Sequence, residues 1–88
     1  MRHARDHDLD RLEPLLAQLR SLPGLKEKSR GCFYLKSKGF LHFHEDPKGL
    51  FADLALGPNG DFQRMDVTDT EGQAALLAAA RRHLESLC

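Results

Sequence analysis

The chain has 88 residues, 41% of them hydrophobic and 30% charged, with 13 Lys and Arg against 13 Asp and Glu. That length suits one domain with one core, and the composition excludes a disordered charged tail. A net charge of zero with His neutral withholds the positive excess that drives non-specific nucleic-acid binding, and no stretch approaches the roughly 18 apolar residues of a membrane span.

The opening residues, MRHARDHDLD, are charged and hold no apolar run that could serve as a signal peptide, so a cytoplasmic protein is expected. Within them His3 and His7 stand four apart, as in an inverted zinc-protease motif, but Asp6 occupies the place of its Glu. Residues 1–7 are therefore read as a mobile or weakly helical segment of a single domain spanning 1–88. From Leu9, the leucines at 9, 12, 15, 16, 19 and 22 fall three and four apart and predict a first helix with one apolar stripe. Asp8 or Asp10 can cap it, Pro14 is tolerable only in its first turn, and Pro23-Gly24 ends it. Leu25 to Arg30, LKEKSR, reads as a polar connection.

Apolar and polar residues then alternate from Gly31 to Val67, broken at Ser37-Lys38-Gly39, at Glu45 to Gly49 and at Gly57-Pro58-Asn59-Gly60. This predicts a four-stranded antiparallel meander with strands near 31–36, 40–44, 50–56 and 61–67. Thr68-Asp69-Thr70 opens a second helix, with Thr70 and Gln73 at capping-box spacing and Leu76, Leu77, Ala80, Leu84 and Leu87 as its apolar stripe. The fold class is α+β, with both helices on one face of the sheet (α-β-β-β-β-α).

Turn lengths set the register and thereby the two faces. A three-residue turn with Gly39 left-handed pairs Leu35 with Leu41 and Phe33 with Phe43. A four-residue loop from Glu45 to Lys48 pairs Phe43 with Leu50 and Leu41 with Ala52, and a turn at Pro58-Asn59 pairs Ala52 with Met65 and Leu54 with Gln63. One face collects Phe33, Leu35, Leu41, Phe43, Leu50, Ala52, Leu54, Leu56, Met65 and Val67, for the helices to cover. The other carries Cys32, Tyr34, Lys36, Phe40, His42, His44, Phe51, Asp53, Ala55, Phe62, Arg64 and Asp66. In this register Asp53 faces Arg64 and Phe40, His42 faces Phe51, and Asp53 reaches His42 only diagonally.

Function, if it lies on the sheet, lies on that second face, which is too apolar for an ordinary wet surface. His42 and His44, two apart on a strand, project together as two imidazole ligands for one metal would, with Asp53 as a third ligand held at a distance. The plainer reading packs the imidazoles among aromatic neighbours or bonds them to Asp53. Asp53 and Arg64 read as a cross-strand ion pair, or as a fork for a carboxylate or phosphate. No Ser-His-Asp order and no Gly-rich phosphate loop is present, and the only visible nucleophile, Cys32, lacks a cationic activator in sequence. With Cys88 as the other cysteine, neither a disulfide framework nor a four-thiolate zinc site can be built.

The segment Lys38-Gly39-Phe40-Leu41-His42-Phe43-His44-Glu45-Asp46 resembles small uncharacterised bacterial proteins of helix-meander-helix type. The order Leu22-Pro23-Gly24, strands, helix is similar to MmcQ/YjbR-type proteins. The resemblance implies an architecture and no activity, and no functional residue is carried over from it.

Composition and pattern together lead to a non-enzymatic binding or self-assembly module, pairing with a copy of itself or with another protein through Tyr34, Phe40, His42, His44, Phe51, Asp53, Phe62 and Arg64. No cofactor is expected on that reading. The alternative is a small-ligand or divalent transition-metal binder using His42, His44 and Asp53. Base stacking on Phe40, Phe51 and Tyr34 comes third, against the acidic Asp53 and Asp66 and the neutral net charge.

Overall fold

The computed structural model describes residues 2–57 and 60–87; the turn expected at Pro58-Asn59 and the terminal Cys88 lie outside the described residues. The elements are β1 (Arg2–His3), α1 (Asp6–Asp10), α2 (Glu13–Arg20), β2 (Leu25–Ser29), β3 (Cys32–Leu35), β4 (Lys38–Asp46), β5 (Gly49–Ala55), β6 (Phe62–Asp66) and α3 (Thr70–Ser86). The class is α+β with an open antiparallel sheet. The sheet has six strands among the described residues, not four: β2 to β6 run in sequence order and β1 pairs with β4. No helix of the described residues is long and apolar enough to cross a membrane.

Both additional strands come from segments without strand alternation. β2 is LKEKS, and its pairing with β3 places Lys26 opposite Tyr34 and Glu27 opposite Phe33. Its side chains are fixed by contacts distant in sequence. Arg20 donates from Nε to Glu27 at 2.6 Å and from Nη1 to Glu13 at 2.6 Å, Arg30 donates to Glu13 at 2.9 Å, and Glu27 accepts the Gly31 amide at 2.9 Å. Charge pairing thus ties α2 to the β2–β3 hairpin, and the lysines of β2 suit an edge that must not pair further. The N-terminus, expected to be mobile or weakly helical, instead lies in the sheet at Arg2–His3, with Arg2 opposite Glu45 and His3 opposite His44. Ala4 donates to Phe43 O at 3.1 Å and Arg2 Nε stands 3.0 Å from Glu45.

The single N-terminal helix is split at Arg11–Leu12 into α1 and α2, and Pro14 falls in the first turn of α2, where its missing N–H costs nothing. Leu9, Leu12, Leu15, Leu16, Leu19 and Leu22 are still all buried, in one core with Phe33, Leu41, Phe43, Leu50, Leu54, Leu76, Ala80 and Leu84. The cap of α3 is one residue earlier than expected. Asp69, not Thr70, is the N-cap and accepts the Gly72 amide at 2.9 Å, while Gln73 donates to Val67 O at 3.1 Å.

Two turns are tighter than the sequence reading supposed. At the β4–β5 hairpin Asp46 pairs with Gly49, leaving only Pro47 and Lys48 in the loop. Asp46 accepts the Lys48 amide at 3.0 Å, and Asp-Pro-x-Gly are the residue types that favour such a turn. Phe43 consequently faces Ala52 and Leu41 faces Leu54, each two residues along from the expected partner. A two-residue displacement leaves every side chain on its expected face. At the β3–β4 hairpin the left-handed residues are Lys36 (φ 52°) and Ser37 (φ 71°) rather than Gly39, with Leu35 opposite Lys38. The register then shifts, so that Phe33 faces Leu41 while Tyr34 faces Gly39, which makes Phe40 the extra residue of a β-bulge.

Candidate metal centre on the open sheet face

β4 is the middle strand of the β2–β6 order and β5 its neighbour, and the residues that face one another across them build the site. His42 lies directly opposite Asp53 and His44 directly opposite Phe51, and Asp53 is in turn opposite Arg64 of β6. The expected diagonal approach of Asp53 to His42, and the expected pairing of His42 with Phe51, are corrected by the tighter turn at Pro47–Lys48. Asp53 therefore reaches both imidazoles: its Oδ2 is 3.0 Å from His44 Nε2 and 3.6 Å from His42 Nε2. One donor atom from each of His42, His44 and Asp53 can be chosen so that all lie within 4.8 Å of one another. Donors bonded at about 2.0–2.1 Å around a tetrahedral centre stand about 3.3 Å apart, so small side-chain rotations suffice.

Arg64 orients the carboxylate. Its Nε donates to Asp53 Oδ1 at 2.9 Å and its Nη2 to Oδ2 at 3.0 Å. This guanidinium holds the Asp53 carboxyl below the usual carboxylate range, against the opposing effect of burial. Arg64 thus engages both carboxylate oxygens. Oδ2, which also faces the imidazoles, has a second lone pair to offer a cation, while the arginine fixes the carboxylate's orientation as an outer support of a metal ligand does. Burial pushes the His42 imidazole down, and the neighbouring His44 adds to that, so His42 is kept in the neutral form that metals require. His44 Nε2 is buried and, although close to Asp53, makes no hydrogen bond to any described group. An imidazole nitrogen 3.0 Å from a carboxylate oxygen, with no hydrogen bond formed by that nitrogen, is a pair of donor atoms that one cation could share.

The remaining expected face residues divide. Phe51 and Tyr34 are half-buried, and Tyr34 carries Lys28 Nζ 4.5 Å from its ring centre. Phe62 is 50% exposed and its ring sits 5.0 Å from that of His42. Phe40 does not belong with them: the bulge turns it into the core, 2% exposed, with its ring 5.7 Å from His83 of α3. One further residue, considered in the sequence only with His7 in the charged terminus, joins the histidines. His3 of β1 brings a third imidazole, 5.0 Å from the His44 ring and 6.0 Å from that of His42. Its only sequence signal was a histidine in a charged terminus, and the pairing that places it is made with residues more than 40 positions away.

Comparison with known proteins finds no family model that matches the chain, no matching curated protein and no matching solved structure.

Proposed function

We propose that the protein is a binding module that takes a divalent transition-metal ion on the open face of its sheet, at His42, His44 and Asp53. The observation that carries this reading is the buried, unbonded His44 Nε2 facing the Asp53 carboxylate at 3.0 Å, with His42 beside both. Mixed imidazole and carboxylate donors suit zinc and its neighbours in the first transition row. Calorimetric titration with zinc tests it. The wild type should bind one ion per chain, and a His42→Ala, His44→Ala double variant should not. Equal, weak binding by both would remove the metal reading.

Self-association through the same face is the second reading, favoured by Phe62, half-exposed beside the histidines. With Phe40 in the core and Phe51 half-buried, Phe62 supplies about 1.5–3 kcal/mol per copy. Association costs roughly 4–15 kcal/mol, so this ring alone does not hold a dimer, and the ion-binding reading takes precedence. Sedimentation of the wild type and Phe62→Asp at micromolar concentration separates the two: a wild-type dimer lost in the variant would reverse this order.

A further inference from the structure

The metal reading counts three donors, yet a fourth stands in the adjoining row of the sheet. His3 and His44 are direct cross-strand partners. Ala4 N donates to Phe43 O, which makes Ala4 and Phe43 a hydrogen-bonded pair. Antiparallel pairs alternate, so His3 and His44 form a non-hydrogen-bonded pair, the kind in which facing side chains come closest. The rings of His3, His42 and His44 are then 4.9–6.0 Å apart in all three combinations. His3 is exposed, so its ring has the room to turn a nitrogen toward the other donors.

We propose that His3 is a fourth ligand of the same ion, which is held by three imidazoles and one carboxylate and thereby fastens β1 to β4 and β5. The proposal rests on the metal site of His42, His44 and Asp53. Its consequence is a closed, four-coordinate centre of the structural kind, where a catalytic one would keep a position for water. β1 has only two residues, held by pairing with β4, by Arg2 near Glu45 and Asp8 and by the Ala4 hydrogen bond. An ion bonded to His3 would be its strongest attachment to the sheet.

The test compares wild type, His3→Ala, His3→Gln and the His42→Ala, His44→Ala double variant, titrated with zinc and with cobalt, and followed by the cobalt visible spectrum and by amide exchange at residues 2–4. The expected result is a loss of affinity of about tenfold or more in both His3 variants, the scale for disturbing a ligand's surroundings being already 10–100-fold. The intense cobalt bands of a four-coordinate site should weaken in them, and zinc should slow exchange at residues 2–4 in the wild type alone. His3 variants that match the wild type in affinity, spectrum and exchange, while the double variant fails to bind, would overturn the role of His3 and leave the three-donor site standing. A wild type that binds neither ion would overturn both.

Discussion

Asp53→Asn is the substitution that most directly probes the site. Asp53 is buried, with its side chain 13% exposed, and Arg64 is 51% exposed. The two hydrogen bonds between them, at 2.9 and 3.0 Å, are charge-assisted, for which about 1.5–3 kcal/mol is usual when both partners are shielded from water. Half-exposure of the guanidinium screens part of that, so a loss of about 1–2 kcal/mol is expected at pH 7. For a domain of this size that lowers Tm by roughly 4–16 °C. The sign with pH follows from the carboxyl's lowered pKa. Stability contributed by a depressed acid is complete above its unfolded value, about 3.9, and is lost as pH falls through the folded value. Wild type and Asp53→Asn should accordingly differ at pH 7 and converge in acid, where the wild-type carboxyl is itself neutral. Thermal unfolding of the metal-free proteins from pH 7 down to about pH 2 measures this, the difference shrinking only as pH falls below about 3.9. A difference below about 0.5 kcal/mol at pH 7, or one that persists unchanged in acid, would refute the account of Asp53 as the ionised hub of the face.

Other expectations follow from single positions. Burial and the nearby His44 lower the His42 pKa, against the pull of Asp53, so between the unfolded value near 6.5 and the folded one the unfolded chain binds the extra proton. Metal-free wild type should lose stability as pH falls through that window, and His42→Gln should lose less; equal slopes in a pH series of urea melts would contradict it. Ser37 holds φ 71°, a conformation that costs an L-residue roughly 1–2 kcal/mol and glycine almost nothing. Ser37→Gly should therefore raise stability by about 0.5–1 kcal/mol in the same melts, and a loss would show that the turn is not left-handed in solution. Gly49→Ala should cost about 1–3 kcal/mol, because Gly49 has φ 142° and an added Cβ would collide with Thr68, whose hydroxyl accepts the Leu50 amide at 3.0 Å. A neutral Gly49→Ala would place the β4–β5 turn elsewhere.

What the sequence by itself determined is the division of side chains between two environments. The leucine spacing from Leu9 to Leu22 marked the buried stripe even though the helix breaks at Arg11–Leu12, since Leu9 and Leu12 are carried into the same core. Strand alternation assigned Phe33, Leu41, Phe43, Leu50 and Leu54 to the core and His42 and His44 to the other face. That assignment survived a two-residue error of register between β4 and β5 because strand side chains repeat with period two. Asp46-Pro47-Lys48-Gly49 carried the signal of the tighter turn, and reading it as such would have set Asp53 opposite His42.

Only the tertiary structure decided the rest. Phe40 changed faces because a bulge inserts one residue and so inverts the alternation on one side of it. β2 became a strand although LKEKS has no apolar alternation, because β3 supplies its hydrogen bonds and Arg20 and Gly31 partner Glu27. His3 joined the histidines by pairing with a strand about 40 residues further on. Periodicity is local and is written in the order of residues, whereas which residue stands opposite which depends on loop closure and on pairs formed across the chain, and those exist only once the chain has folded.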